Sequence, residues 1–404
     1  MKPKLRPLEA QPILHQGQQS ILLQDPLRLG PGPVVVPATW GPLLALCDGT
    51  RDLAELRAAL AVRAGVLLSE ETLQKVVARL DEALLLEGER ARAALEEALA
   101  AYRAAPYREL ASAGATYPAN PGELRAYLQG FVEQAGPLAD APEAQVAWRG
   151  LISPHIDYAR GGPVYARVFD LAARALGEVE QVIVFGTDHR GSPGITLTEQ
   201  NYATPFGVLP TERGVVRAVA EAIGSQAAFA EELHHRVEHS IELAVVWLHY
   251  FLGGRSVHLV PILCGSFDPF VRGERDPAAD PTLKACLAVL REALLARRTL
   301  VVAAADLAHV GPAFGDPRPL DFAARARLQA ADAELLARVV AGDAEGFLQR
   351  IRQEGDRRRI CGLPPIYLAL RLLGEAQGVQ AGYDRCPADA QGGSWVSICG
   401  VLLR

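Results

Sequence analysis

The chain is poor in methionine, with one in 404 residues, and poor in lysine and asparagine, while arginine and alanine abound. A GC-rich genome and a hot habitat give the same bias, so it does not separate them. There is no basic excess. Against 47 acidic side chains stand 41 basic ones, and the net charge of −6 argues against a nucleic-acid binder held by a basic face. No apolar run is long enough to span a bilayer, and the start, MKPKLRPLEAQP, lacks the apolar core of a signal peptide. The expectation is a soluble cytoplasmic protein. CxxC pairs are absent as well. Cys47, Cys264, Cys286, Cys361, Cys386 and Cys399 are scattered, which fits reduced thiols better than a disulfide framework. What remains is an ordinary globular balance in a chain long enough for two or three domains.

Residues 1–95 read as a separate small domain. ILLQDPLRLG alternates and breaks at Asp-Pro and Gly, as a hairpin arm does. Next, Pro37-Ala38-Thr39-Trp40 opens a helix that Thr39 can cap, with Leu43, Leu44 and Leu46 facing inward. Cys47-Asp48-Gly49-Thr50 is a turn. LAELRAALAVRAG and SEETLQKVVARLDEALLLEG are two more amphipathic helices, the second starting at Ser69 and stopping at Gly88. Two strands and three helices predict a small winged-helix-like unit. Arg90 to Tyr107 is a charged, alanine-rich helix, of which residues 96–105 serve as linker.

From residue 106 to 404 the pattern changes. Apolar runs at VAWRGLIS, QVIVFG, VHLVPILCG, TLVVAAAD and SWVSICGVLL alternate with helical stretches such as VYARVFDLAARALG and SIELAVVWLHYFLG. This predicts an α/β fold, a largely parallel or mixed sheet flanked by helices, with the short last strand antiparallel at an edge. In such sheets function gathers at the carboxyl ends of the strands. Four stretches qualify: PHIDY with His155, GTDHRG with Asp188 and His189, AADLAHVG with Asp306 and His309, and ICGLPP with Cys361. Two imidazoles and a thiolate make a compact ligand set that suits iron, copper or zinc and leaves coordination positions open. Asp188, Asp306 and His309 can orient ligands or carry protons. Glu238-His239-Ser240-Ile241-Glu242 begins an amphipathic helix and places His239 at its mouth.

Two other readings of these residues stand beside this one. His235-Arg-Val-Glu238-His239 fits the HxxEH pattern of inverted zinc peptidases, which requires one continuous helix. Cys361, just before a glycine at a helix start, can also be a nucleophile with no metal.

SPHIDYARGG, VFGTDHRG, NYATPFG, EHSIELAVVWL, VPILCG, DLAHVGPAFG and ICGLPPI, in this order, resemble the Memo family. That family is the B component of the AmmeMemoRadiSam system, which also contains an AMMECR protein and a radical-SAM protein. The resemblance covers residue 106 to the end. It implies a fold similar to LigB-type class III non-haem iron extradiol dioxygenases, and a copper or iron ion bound by His155, His189 and Cys361. It further implies that Asp306, His309 and His239 belong to the site, that the activity is oxidoreductase-like, and that zinc can occupy the site on purification. The family's PHAGY is PHIDY here, which adds Asp157; the second His of its GPSHH motif is Arg190; and its His-Ala-Gly is Ser112-Ala113-Gly114. In the amino-terminal region, VVVP…LLALCDGTRDLAELRAAL…LDEALLLEG resembles the PqqD-like family, whose members bind or present peptides for radical-SAM maturases. The combined expectation is a metal-dependent redox protein working with a radical-SAM partner. The alternative is an accessory protein that binds a peptide or partner while its second domain sequesters or delivers metal.

Overall fold

The computed structural model describes residues 2–136 and 147–404. The chain divides into two compact units, residues 1–104 and 105–404. In the first, strands Glu9–His15, Gln18–Gln24 and Val34–Pro37 form an antiparallel sheet in that order. Gln16 and Gly17, both at positive φ, make the two-residue hairpin turn. The sequence pattern gives two strands, whereas three are present. Glu9–His15 escapes notice because it holds Pro12 and leaves most of its side chains exposed, as an edge strand can. Thr39 lies in a short 3-10 turn, Ala38–Trp40, and does not cap the helix Gly41–Leu46 that follows. Helix Leu53–Ala64 starts with a reciprocal Asp52–Glu55 capping box, and helix Glu70–Glu82 is capped by Ser69. Leu43, Leu56, Leu60, Leu73 and Leu80 are among the side chains that form the core of this unit. Helix Glu89–Ala104 completes it.

The second unit is built on an eight-stranded mixed sheet. Strands Gly150–Ser153, Thr299–Ala304, Gln181–Thr187 and His258–Cys264 lie side by side and parallel. Their residues are apolar on both faces because both faces are covered. Leu151, Val182, Val184, Leu300 and Val302 point into one core, against helices Tyr158–Leu176 and Ser240–Leu252. Ile152, Ile183, Phe185, Val301 and Ala303 point into the other, against helices that include Pro281–Ala296 and Leu363–Leu373. Ile195–Leu197 closes one side, antiparallel to His258–Cys264. The last strand, Trp395–Leu403, is antiparallel as expected, but it is nine residues long and lies inside the sheet. Gly378–Pro387 pairs along its whole outer length. Gly382, Asp384 and Arg385 hide this partner strand from a search for apolar runs.

The inner side of Trp395–Leu403 is shared by two neighbours. Val401–Leu403 pair with Gly150–Ile152, and Trp395–Ile398 pair with Asp306–Val310. The first neighbour stops because Pro154 has no N–H to extend the ladder. The run that begins as Thr299–Ala304 then turns through Ala305, whose N–H donates to Ser153 O (2.8 Å), and occupies the vacated place as Asp306–Val310. A notch opens at this switch, at the carboxyl ends of the parallel strands. Among the described residues no helix is long and apolar enough to cross a membrane.

Two glycines let other elements close on the notch. A Cβ on Gly186 would lie 2.5 Å from Ile241 Cγ1 and 2.7 Å from Ser240 Oγ, and one on Gly362 would lie 2.3 Å from Asp306 O. Overpacking of this kind costs about 1–3 kcal/mol. Gly186→Ala is therefore expected to lower the urea midpoint of the chain by that amount of stability. An unchanged midpoint would show that helix Ser240–Leu252 can slide without loss.

Candidate metal centre

Four elements bring side chains to the notch. His155 follows the strand end at Pro154. Its backbone N–H donates to Asp306 Oδ1 (2.8 Å), and its Nδ1 lies 2.9 Å from Ala304 O. A carbonyl can only accept, so Nδ1 carries the proton and Nε2 keeps a lone pair. That Nε2 lies 3.2 Å from Cys361 Sγ. Cys361 precedes helix Leu363–Leu373 and is held by two backbone contacts: its carbonyl accepts from Thr187 Oγ1 (3.0 Å), and Gly362 N–H donates to Asp306 O (3.0 Å).

His189 lies just past strand Gln181–Thr187, and His239 sits at the mouth of helix Ser240–Leu252. Their rings stack at 4.9 Å with 12° between planes, and His155 meets both edge-on, at 5.0 and 5.6 Å. One ring nitrogen from each of the three falls within 4.8 Å of the others. His189 and His239 are oriented by one residue that the sequence reading assigned no such task, Glu238. Its carboxylate lies 3.1 Å from Nδ1 of both rings. It also accepts from the backbone N–H groups of His189 (3.2 Å), His239 (2.8 Å) and Ser240 (3.1 Å), so it caps the helix as well.

Asp306 and His309 also reach the site. Asp306 Oδ2 is 3.7 Å from His155 Nε2, and His309 Nδ1 is 3.2 Å from Leu307 O. Both line a cavity of about 610 Å³ together with His155, His189, His239 and Asp157. Asp188 does not line it; its Oδ2 is directed to His234 Nδ1, 2.8 Å away. The HxxEH arrangement does not form. His234–Val237 is a single turn, Glu238 is extended, and a new helix starts at Ser240. His235 is wholly buried elsewhere, donating from Nε2 to Thr196 O (3.0 Å) and accepting at Nδ1 from the Tyr202 hydroxyl (2.6 Å).

A second feature without a local sequence signal fixes the Glu238 loop. The buried Arg108 donates to the carbonyls of His235 and Glu238, each at 2.7 Å, and is ion-paired with the buried Glu242. Glu242 also accepts from Ala111 N (2.8 Å), Ser112 N (2.9 Å) and the Tyr117 hydroxyl (2.5 Å). These partners lie more than a hundred residues apart in the chain.

The charges follow from this packing. Burial opposes the Glu238 carboxylate, but His189 and His239 hold it well below the usual carboxylate range. Against the same burial, Glu238 raises His189 well above its ordinary value. Burial pushes the Cys361 thiol up, yet the neighbouring imidazoles of His155 and His189 bring it below its ordinary value. Burial lowers His155 and His309 and raises Asp306.

Residues 108–386 match the family described as Memo-like protein. The chain belongs to the Memo family. A MEMO1 family protein of Aquifex aeolicus is 29% identical over 419 aligned residues, spanning 100% of both chains. One of Thermus thermophilus is 31% identical, spanning 81% of this chain and 92% of its own. One of Methanopyrus kandleri is 28% identical over 67% of this chain and 89% of its own. The Aquifex match thus includes the first unit, which lies outside the family match.

His235 gives this Memo protein an acid-sensitive point. Burial lowers its imidazole to about 4, so the folded state prefers it neutral. Its contribution to stability is complete above its unfolded value near 6.5 and is lost as pH falls toward 4, amounting to about 3 kcal/mol by linkage. Urea titrations at pH 7 and pH 4.5 are expected to show a smaller pH loss in His235→Gln than in the parent chain. Equal losses in both would remove His235 from the account.

Proposed function

We propose that this chain is a metal-dependent redox protein in which iron or copper is held by His155, His189 and Cys361, with zinc as a substitute on purification. One observation carries the reading. The Nδ1 protons of both imidazoles are committed, to Ala304 O and to Glu238, which leaves both Nε2 atoms for a ligand beside a thiol of lowered pKa, that of His189 once it gives up its second proton. With His155 Nε2 3.2 Å from Cys361 Sγ, the two atoms are close enough for one ion to be held by both. Bound iron or copper supplies one-electron chemistry and open positions for dioxygen or a small substrate. The remaining groups belong to the chain. His239, fixed at Nδ1 by Glu238, exchanges a proton at Nε2, and His309, engaged at Nδ1, does the same. Asp306 accepts a proton at Oδ2, since Oδ1 is engaged by His155 N–H. Leu243, Phe314 and Val396 form an apolar wall that limits water in the cavity. The mixed sheet is read as similar to that of LigB-type extradiol dioxygenases, with Cys361 where those enzymes use a carboxylate.

A second reading fits beside the first. Glu9–His15 is an edge strand with mostly exposed side chains, to which a peptide can add by backbone pairing. On this reading the PqqD-like, winged-helix-like first unit binds a peptide and works with a radical-SAM protein and an AMMECR-type protein, while the second unit sequesters or delivers metal. Such binding is independent of Cys361.

Metal content by mass spectrometry on anaerobically purified protein tests the first reading. Near-stoichiometric iron or copper is expected in the parent chain, with loss in Cys361→Ser and in His189→Ala. Glu238→Gln is expected to weaken retention roughly 10–100-fold, the usual effect of removing an orienting partner. Absence of metal from the parent chain, even after reconstitution, would overturn the redox reading and leave the peptide-binding one.

A further inference from the structure

We propose a second divalent-cation site, free of sulfur, formed by Asp188, Glu231 and His234 and joined to the first centre through the Asp188–His189 peptide bond. It goes beyond the redox reading and does not depend on it. Glu231 and His234 stand three residues apart on one hydrogen-bonded turn, His234 N–H donating to Glu231 O at 2.8 Å. This Glu-x-x-His spacing turns both side chains to one face and recurs in carboxylate metal sites. Asp188 arrives from the end of strand Gln181–Thr187, with Oδ2 2.8 Å from His234 Nδ1. One donor atom from each of the three lies within 4.8 Å of the other two. Asp188 is buried, and the other two are half-buried.

The surroundings hold this set in place. Arg190 N–H donates to Asp188 Oδ1 (3.1 Å), and Ser192 donates to Glu231 from N (3.0 Å) and from Oγ (2.7 Å). Gly191 leaves room for the carboxylate, because a Cβ there would lie 2.5 Å from Asp188 Cγ. Asp188, His189 and Cys361 line a separate cavity of about 220 Å³, on whose walls Asp268 and Asp356 outnumber Arg359. Two carboxylates and one imidazole suit manganese, ferrous iron, cobalt or zinc, and form a harder set than the one containing Cys361.

Cobalt separates the two centres, because thiolate ligation gives a charge-transfer band in the near ultraviolet and oxygen or imidazole ligation does not. Full-length protein, stripped with chelator, is titrated with Co²⁺ and followed by equilibrium dialysis and absorbance. The parent chain is expected to bind two ions, one with the band and one without. His234→Ala and Glu231→Gln are each expected to bind one ion and keep the band. Cys361→Ser is expected to lose the band and keep the sulfur-free ion. A single ion with the band, unchanged in both His234→Ala and Glu231→Gln, would overturn the proposal and leave Asp188–His234 a plain ion pair. An ion without the band that Glu231→Gln removes would uphold the second site even if the redox reading of the first fails. Glu231 is half-buried, so Glu231→Gln decides the matter should His234→Ala not fold.

Discussion

The site depends on one buried carboxylate. Glu238 is the point at which two imidazoles, three backbone N–H groups and a helix start meet. A buried carboxylate is stable only when its lone pairs are filled by donors, and here the donors are the groups that need to be aimed. Orientation of His189 and His239 and satisfaction of Glu238 are therefore one requirement. The loop that carries Glu238 is in turn held by Arg108, whose guanidinium reaches the carbonyls of His235 and Glu238 and ends on Glu242. The imidazole side of the notch is thus fixed by a chain of charge-assisted hydrogen bonds running back into the core.

The thiol side is fixed by different means. The loop before Cys361 places two non-glycine residues, Asp356 and Arg359, at positive φ. Side-chain contacts hold them there: Asp356 accepts from Ile360 N–H (2.9 Å), and Arg359 donates to His309 O (3.1 Å) and to Asp316 (2.6 Å). Such backbone states are sparsely populated and persist where surroundings over-determine them. The sulfur is thus delivered by a strained approach and the imidazoles by a capped helix, and both converge on the end of the short strand Gly150–Ser153.

Much of the sheet could be read from the chain because of how it is buried. Four parallel strands covered on both faces must be apolar throughout, and VIVFG or TLVVAA shows this directly. Pro154 marked the end of one strand, and the polar residues after each run, His155, His189, Asp306 and His309, mark the rim. What could not be read depends on distance in the chain or on mixed burial. Gly378–Pro387 alternates weakly because its outer residues are exposed. Asp188 beside His189 looked like its partner, but His234, forty-six residues on, takes it. Arg108 and Glu242 have no local pattern at all, and the HxxEH spelling assumed a helix that Glu238 interrupts in order to reach His189.

The switch at Ala305 ties the site to a strand that contributes almost nothing to it. Trp395–Leu403 gives the cavity only Val396, yet it is the shared pairing partner of the strand before His155 and of the strand that carries Asp306 and His309. Trimming the chain back to residue 394 would leave three strands without that neighbour and loosen His155, Asp306 and His309, from two different motifs, at once. Shortened versions of this protein therefore need Trp395–Leu403 intact.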